Sequence, residues 1–172
     1  MLKRHIPPVV AALFLIANPH LAGQSPAAPV KDAELRLRAA QHDPVNLTLT
    51  DLKAMPHVTV TVHNSHSNTD ETYSGVRLAD LLAKVGAPSG KNLRGKALAH
   101  YIVASGSDGY QTILSLGEVD SEFHPGEILV AETMDGKPLD ARSGPLKLVV
   151  TEDKHPARSV RNLVQIELKT AP

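Results

Sequence analysis

The sequence predicts an α+β fold, a single domain built mostly of mixed β-sheets with a few short helices. Residues 57–63 alternate between valine and polar side chains, which is the period of a half-buried strand. Only residues 78–85 show clear helical spacing, and from residue 98 onward short apolar runs are separated by turn-forming residues. Because 172 residues suffice for one core but not for two, and strands do not alternate regularly with helices, we expect one α+β domain.

Residues 1–25 have the composition of a secretory signal peptide. Lys3 and Arg4 form a basic start, residues 9–17 form a short apolar run, and small residues follow at 22–25. The apolar run is shorter than the roughly 20 residues that a membrane span needs, so we expect cleavage and no stable membrane insertion. The sequence therefore predicts a periplasmic or secreted protein, and the alternative is a retained membrane anchor.

Residues 26–45 are predicted to be an N-terminal leader that precedes a domain at 46–170. Pro26 and Pro29 favour an extended linker. Residues 33–40 favour one short helix, in which Leu35 and Leu37 are the only large apolar side chains, and Pro44 ends that segment.

The domain is predicted to begin with a short strand at 47–49. Thr50 then provides an N-cap for a helix at 51–55, which Pro56 ends. The alternating strand at 57–63 follows directly.

The rest of the domain is predicted to contain one good helix and a series of strands. Residues 64–70 form a polar loop with no apolar side chain to bury. Leu78, Leu81, Leu82 and Val85 define the helix at 78–85, which Gly86 ends. The later strands are predicted at 98–104, 110–116, 128–131, 146–151 and 163–168, with one helical turn at 115–119.

Composition excludes several classes of function. Lys plus Arg and Asp plus Glu each number 18, and the chain has no Trp, two Phe and three Tyr. Neither charge nor stacking side chains therefore favour a nucleic-acid partner. The chain has no cysteine, so no thiolate is available as nucleophile or metal ligand.

The densest imidazole cluster is a candidate metal site. His63 and His66, with His57 nearby, could bind zinc or copper, and Asp70 or Glu71 would have to complete the ligand set. The alternative is that these histidines lie on a solvated strand face.

A basic loop near the C-terminus is the candidate anion site. Lys154, His155, Arg158 and Arg161 occur within it, and Lys147 precedes it. The guanidinium fork of arginine matches phosphate or sulfate oxygens, whereas the alternative is a solvated loop with surface charges.

The loop that contains Ser107, Asp108 and Tyr110 is a candidate ligand-lining segment. The alternative is structural, because Asp-Gly is a turn signal and Tyr110 starts the next strand.

Five segments follow one another in an informative order. They are YSGVRLADLL at 73–82, SDGY at 107–110, DGKPL at 135–139, GPLKL at 144–148 and RSVRNL at 158–163. Taken together they resemble the oxidoreductase molybdopterin-binding domain family, which has the sulfite-oxidase-like fold, and more narrowly its small stand-alone exported bacterial members. The resemblance covers residues 47–168. It implies a molybdopterin cofactor, and the implied cofactor-binding residues are Lys154, Arg158, Arg161, Ser107, Asp108, Tyr110 and Ser65.

The chain departs from this family at the metal. In sulfite-oxidase-like enzymes a cysteine just after the strand equivalent to 57–63 ligates molybdenum, but here Asn64, Ser65 and His66 occupy that place. A serine hydroxyl ligates molybdenum in a different enzyme family, so Ser65 is a candidate ligand. Asn162 stands where the family often has Trp.

Two functions remain open. The first is a periplasmic molybdopterin-dependent-oxidoreductase-like domain that binds the cofactor without a cysteine ligand; as an enzyme it would be an oxidoreductase of the sulfite-oxidase-like class. The second is a non-catalytic periplasmic module that kept the fold but lost the metal. Such a module would bind an anionic small molecule or pterin, or dock on a redox partner.

Overall fold

Two five-stranded β-sheets frame the protein in a computed structural model that describes residues 34–65 and 67–172. The strands are β1 Glu34–Ala39, β2 His42–Thr48, β3 Val58–Asn64, β4 Thr69–Arg77, β5 His100–Gly106, β6 Gln111–Ser115, β7 Ile128–Met134, β8 Lys137–Pro138, β9 Lys147–Val150 and β10 Leu163–Thr170. The α-helices are α1 Leu49–Lys53, α2 Leu78–Ala83 and α3 Leu116–Val119, and 3₁₀ turns lie at Gly90–Asn92, Gly95–Ala99 and Pro156–Arg158. This confirms the predicted α+β fold class. None of the helices in the described ranges is long and apolar enough to cross a membrane.

The first sheet has the strand order β2–β1–β10–β5–β6, and the second has the order β3–β4–β7–β8, with β9 also paired to β7. All pairings are antiparallel except that of β1 with β10, which is parallel. Strands β7 and β9 of the second sheet and strand β10 of the first flank the loops that form the candidate site.

The helix predicted at residues 33–40 is wrong, because Glu34–Ala39 forms strand β1. Leu35 and Leu37 are both fully buried and every second residue points inward. Two apolar side chains two positions apart share a face on a strand but not on a helix. The first sheet therefore includes residues 34–39 and 42–45 of the predicted leader.

Two further elements differ from their predicted bounds. Helix α1 starts earlier than predicted, since its N-cap is Thr48 and not Thr50: the Thr48 hydroxyl accepts a hydrogen bond from the Asp51 amide while the Asp51 carboxylate accepts one from the Thr48 amide. The predicted loop at 64–70 is a short hairpin turn, because His63 pairs with Asp70 and Asn64 with Thr69 across β3 and β4.

The main core and a smaller apolar cluster lie on opposite faces of the second sheet. Alternate residues of β7 and β9 contribute to the main core, which also receives side chains from the first sheet and from α2. The intervening residues, with Tyr73 of β4, form the smaller cluster of Tyr73, Leu129, Ala131 and Val149. We call the face that bears this cluster the outer face of the second sheet, and it is the floor of the candidate site.

Gly75 allows β4 and β7 to come close at a register shift. A Cβ atom at this position would lie 2.0 Å from the Val130 carbonyl oxygen, which is a clash with backbone. Only glycine allows this approach, so the glycine of the 73–82 segment has a packing role.

Candidate functional site

Two adjoining cavities form the candidate site. The loop cavity, of about 520 Å³, is lined by Asp108, Tyr110 and residues of the loop between β9 and β10. The sheet cavity, of about 610 Å³, lies over the outer face of the second sheet. Residues common to both are Arg142, Pro156, Ser159 and Arg161.

The two shared arginines are the cations best placed to bind an anion. Arg142 lies in a turn that is held by Asp140, whose carboxylate accepts a hydrogen bond from the Ser143 amide at 2.8 Å. Asn162 joins this turn to the chain beside Arg161, since its side-chain amide donates to the Arg142 carbonyl at 3.2 Å. Among residues 34–65 and 67–172, no carboxylate lies within salt-bridge distance of either guanidinium. Both arginines can therefore pair with a ligand.

A row of polar side chains crosses the floor of the sheet cavity. The Lys147 ammonium lies 2.5 Å from the Tyr73 hydroxyl oxygen and 4.3 Å from the centre of the Tyr73 ring. The Tyr73 hydroxyl donates to one oxygen of Glu71 at 2.6 Å, and the Asn64 side-chain amide donates to the other at 2.6 Å. All four residues line the cavity, so this hydrogen-bonded row is accessible to a ligand.

Burial shifts the ionisation of two members of this row. It raises the pKa of the Tyr73 phenol, and the hydrogen bond to the Glu71 carboxylate raises it further, so the phenol is neutral at neutral pH. Burial lowers the pKa of the Lys147 amine; Glu71 acts in the opposite direction and Arg161 in the same one.

The Arg158 guanidinium contacts carboxylates of the protein and lines neither cavity. Its guanidinium donates to Asp153 and, at 2.6 Å, to Glu118. These hydrogen bonds, that to Asp153 foremost, raise the pKa of Arg158. Arg158 and Lys154 line neither cavity, so of the three basic residues predicted to bind the cofactor only Arg161 lines the candidate site.

The predicted ligand-lining loop is only partly at the site. Asp108 and Tyr110 line the loop cavity, whereas Ser107 lines neither cavity. The Tyr110 hydroxyl donates to the Ala157 carbonyl at 2.5 Å, and the Asp108 carboxylate accepts from the Tyr110 amide at 2.9 Å. The Tyr110 hydroxyl thus holds the loop between β9 and β10, and Tyr110 also forms part of the cavity wall.

The predicted metal ligands are divided between described and undescribed parts of the chain. His63 lines the sheet cavity, and its Nδ1 lies 2.8 Å from an Asp70 carboxylate oxygen. His66 lies outside the described residues, and Ser65 lines neither cavity. Within the described ranges, no group of three or more His, Cys, Asp and Glu side chains could hold a metal ion. The metal site at His63 and His66 stays a prediction.

Sequence reasoning missed Arg142, and it did not foresee that Glu71, Tyr73 and Lys147 meet. One signal was available: Lys147 is the only charged residue between Pro145 and Val150, and a lysine in a buried apolar strand marks an accessible polar environment on one face. Arg142 gives no such signal, because a turn residue is exposed whether or not it lines a cavity.

Residues 22–172 match the family model described as oxidoreductase molybdopterin binding domain. Among solved structures, the chain is similar to the sulfane dehydrogenase SoxCD from Paracoccus pantotrophus, with 18% sequence identity and a TM-score of 0.63. That match covers 81% of this chain and 39% of the other, so this chain spans well under half the length of that protein and the likeness shows a common fold. Comparison with curated proteins gives no match.

Proposed function

Because the chain belongs to the oxidoreductase molybdopterin-binding domain family, as its motifs indicated, we propose that its two cavities bind an anionic pterin cofactor of the molybdopterin type. The observation that carries the proposal is the pair Arg142 and Arg161, which line both cavities and form no salt bridge with any described carboxylate. Two adjacent guanidinium groups suit the phosphate of such a cofactor.

The residues present fit the organic part of the cofactor. The cavities, of about 520 and 610 Å³, are each within the usual range for cofactor sites, which is roughly 300–1,000 Å³. Arg142 and Arg161 would hold the phosphate, while the polar wall from Asn64 to Lys147 would hydrogen-bond the heterocycle. When bound, molybdopterin supplies two-electron redox chemistry at molybdenum.

The residues do not fit a thiolate-ligated metal. The chain contains no cysteine, and Asn64, at the end of β3, presents to the cavity an amide that donates to Glu71. An amide is not a soft anionic ligand, so the protein would hold the cofactor through its phosphate and pterin and not through a cysteine–molybdenum bond.

The second candidate is a non-catalytic module that binds an anionic small molecule. The missing thiolate favours it, because the arginines would attract any compact dianion whether or not it carries a metal. Under either candidate we propose that the mature chain is exported, on the strength of the basic and apolar pattern of residues 1–25. Amino-terminal sequencing of the periplasmic form checks the export.

Cofactor content separates the two candidates. The mature protein is purified from a host that makes molybdopterin, and released oxidised pterin, molybdenum, zinc and copper are measured per chain. We expect stoichiometric pterin in the wild type. The double variant Arg142→Ala plus Arg161→Ala should lose it by at least tenfold, since hydrogen bonds to charged groups contribute about 1.5–3 kcal/mol each.

Lys154→Ala is the matched control, because Lys154 is a cation of the same loop but lines neither cavity. Pterin content that falls equally in the control and the double variant would contradict the proposed site. Wild-type protein without pterin would remove the first candidate and leave the second.

A further inference from the structure

Lys147 is a half-buried amine that forms no salt bridge with any described residue. It lies on β9 between Leu146 and Leu148, both fully buried, and its own side chain points to the sheet cavity. Among the described residues no carboxylate lies within salt-bridge distance of its ammonium group. Its neighbours are instead the hydroxyl oxygen and the ring face of Tyr73.

Tyr73 keeps the amine in one position without neutralising its charge. The phenol proton is directed to Glu71, so the hydroxyl oxygen presents a lone pair to Lys147. The Glu71 carboxylate is thus linked to the Lys147 amine only through the Tyr73 hydroxyl. This arrangement differs from an ordinary buried lysine, which pairs directly with an acid.

The Lys147 amine loses its proton more readily than an ordinary lysine, because its pKa is lowered by burial. Burial lowers the pKa of Lys147, and Arg161 lowers it too, although Glu71 and Asp140 act in the opposite direction. A partly dehydrated lysine beside another cation is the arrangement that makes the amine a nucleophile towards carbonyl compounds.

We propose that Lys147 is a reactive amine that captures an anionic aldehyde as a Schiff base, with Arg142 and Arg161 binding the anionic group. The amine nitrogen forms a bond to the carbonyl carbon, and the resulting carbinolamine loses its oxygen as water. One amine and one aldehyde thus give one imine and one water, with no oxidant or reductant. The inference goes beyond cofactor binding, and it has Lys147 and the two arginines in common with the proposed cofactor site.

Pyridoxal 5′-phosphate is a suitable probe because it combines an aldehyde with a phosphate. Cofactor-free protein, made in a host that lacks molybdopterin, is treated with less than one equivalent of the probe and reduced with borohydride, and the labelled lysines are mapped by peptide mass spectrometry. We expect at least tenfold more label at Lys147 than at Lys137 or Lys154, both of which are exposed. Equal labelling of the three lysines overturns the inference.

Two comparisons separate capture from general lysine reactivity. Pyridoxal without phosphate should label Lys147 several-fold less, and Arg161→Ala should abolish the advantage of the phosphate. Lys147→Arg keeps the charge and should remove the rapid, stoichiometric imine absorbance, whereas the matched variant Lys137→Arg should retain it. An imine signal that survives in a folded Lys147→Arg protein contradicts the assignment.

The two proposals fail independently. Protein that carries no pterin when made with molybdopterin, but labels at Lys147, refutes the cofactor and leaves the amine. Protein that binds pterin, yet shows no preference for Lys147 when cofactor-free, refutes the amine alone.

Discussion

Replacing Arg158 tests whether this residue holds the loop or binds the ligand. The Arg158 guanidinium joins Asp153, in its own loop, to Glu118, whose other carboxylate oxygen caps α3 by accepting from Ser115. Arg158→Ala therefore detaches the loop between β9 and β10 from α3. It leaves Arg161 and Arg142 in place.

The expected loss of stability follows from the exposure of these groups. The Arg158 side chain is 37% exposed, against 16% for Asp153 and 32% for Glu118. Shielded hydrogen bonds to charged groups contribute about 1.5–3 kcal/mol and fully exposed ion pairs about 0–1 kcal/mol, so we assign about 1 kcal/mol to each pair here. The variant should lose about 2 kcal/mol, which lowers the melting temperature by roughly 4–8 °C for a protein of this size.

The variant Arg161→Ala provides the opposite test, because Arg161 lines both cavities. Arg161→Ala removes an exposed side chain that forms no salt bridge with the described residues, so the stability should change by less than about 0.5 kcal/mol. Its affinity for inorganic phosphate, measured by calorimetry, should fall about tenfold, whereas that of Arg158→Ala should change less than twofold. Urea denaturation provides the stabilities, and Arg158→Lys, which keeps the charge but not the fork, should lie between Arg158→Ala and the wild type. Phosphate affinity that falls in Arg158→Ala with no change in stability would refute the structural role.

Two other predictions concern acid stability and metal content. Burial alone would raise the pKa of the Glu118 carboxyl, but hydrogen bonds from Arg158 and Ser115 outweigh burial and lower this pKa. The stability that these bonds provide is present above the unfolded-state pKa of 4.5 and is lost as pH falls through the lower folded-state pKa. Urea midpoints should therefore decline less below pH 4.5 in Glu118→Gln than in the wild type, and parallel declines would exclude this contribution. If zinc or copper is bound at His63 and His66, His63→Ala should lose it while His42→Ala retains it; an unaltered metal content in His63→Ala rules that site out.

The fold was predictable because its strongest signals are local. The alternating valines of 57–63 and the leucine spacing of 78–82 require only their neighbours in sequence to form β3 and α2. Strand β1 was not predictable in the same way. Its six residues, with two leucines, become a strand because β10 pairs with them from the far end of the chain.

The site was predictable only to the level of the loop. Arg158 and Arg161 are three residues apart, with equal charge and similar flanking residues, yet one contacts Asp153 and Glu118 and the other lines both cavities. Arg158 meets Asp153 of its own loop and Glu118 of α3, and no local pattern specifies how the loop folds back on itself or where α3 lies relative to it. The hydrogen bonds among Asn64, Glu71, Tyr73 and Lys147 likewise depend on the alignment of three strands.

The parallel pairing of β1 with β10 has a consequence for the order in which the protein folds. Arg36 pairs with Gln165, so the first sheet has no central strand until β10 is in place. Pairing over this sequence separation costs loop-closure entropy before any contact is gained, so we expect the first sheet to form late in folding. Late formation of this sheet would suit the export that we propose, since a chain must be unfolded to pass through a narrow translocation channel. Loss of the residues after Leu163 should therefore leave a chain that is secreted but degraded, since β1 and β5 would have no partner strand between them.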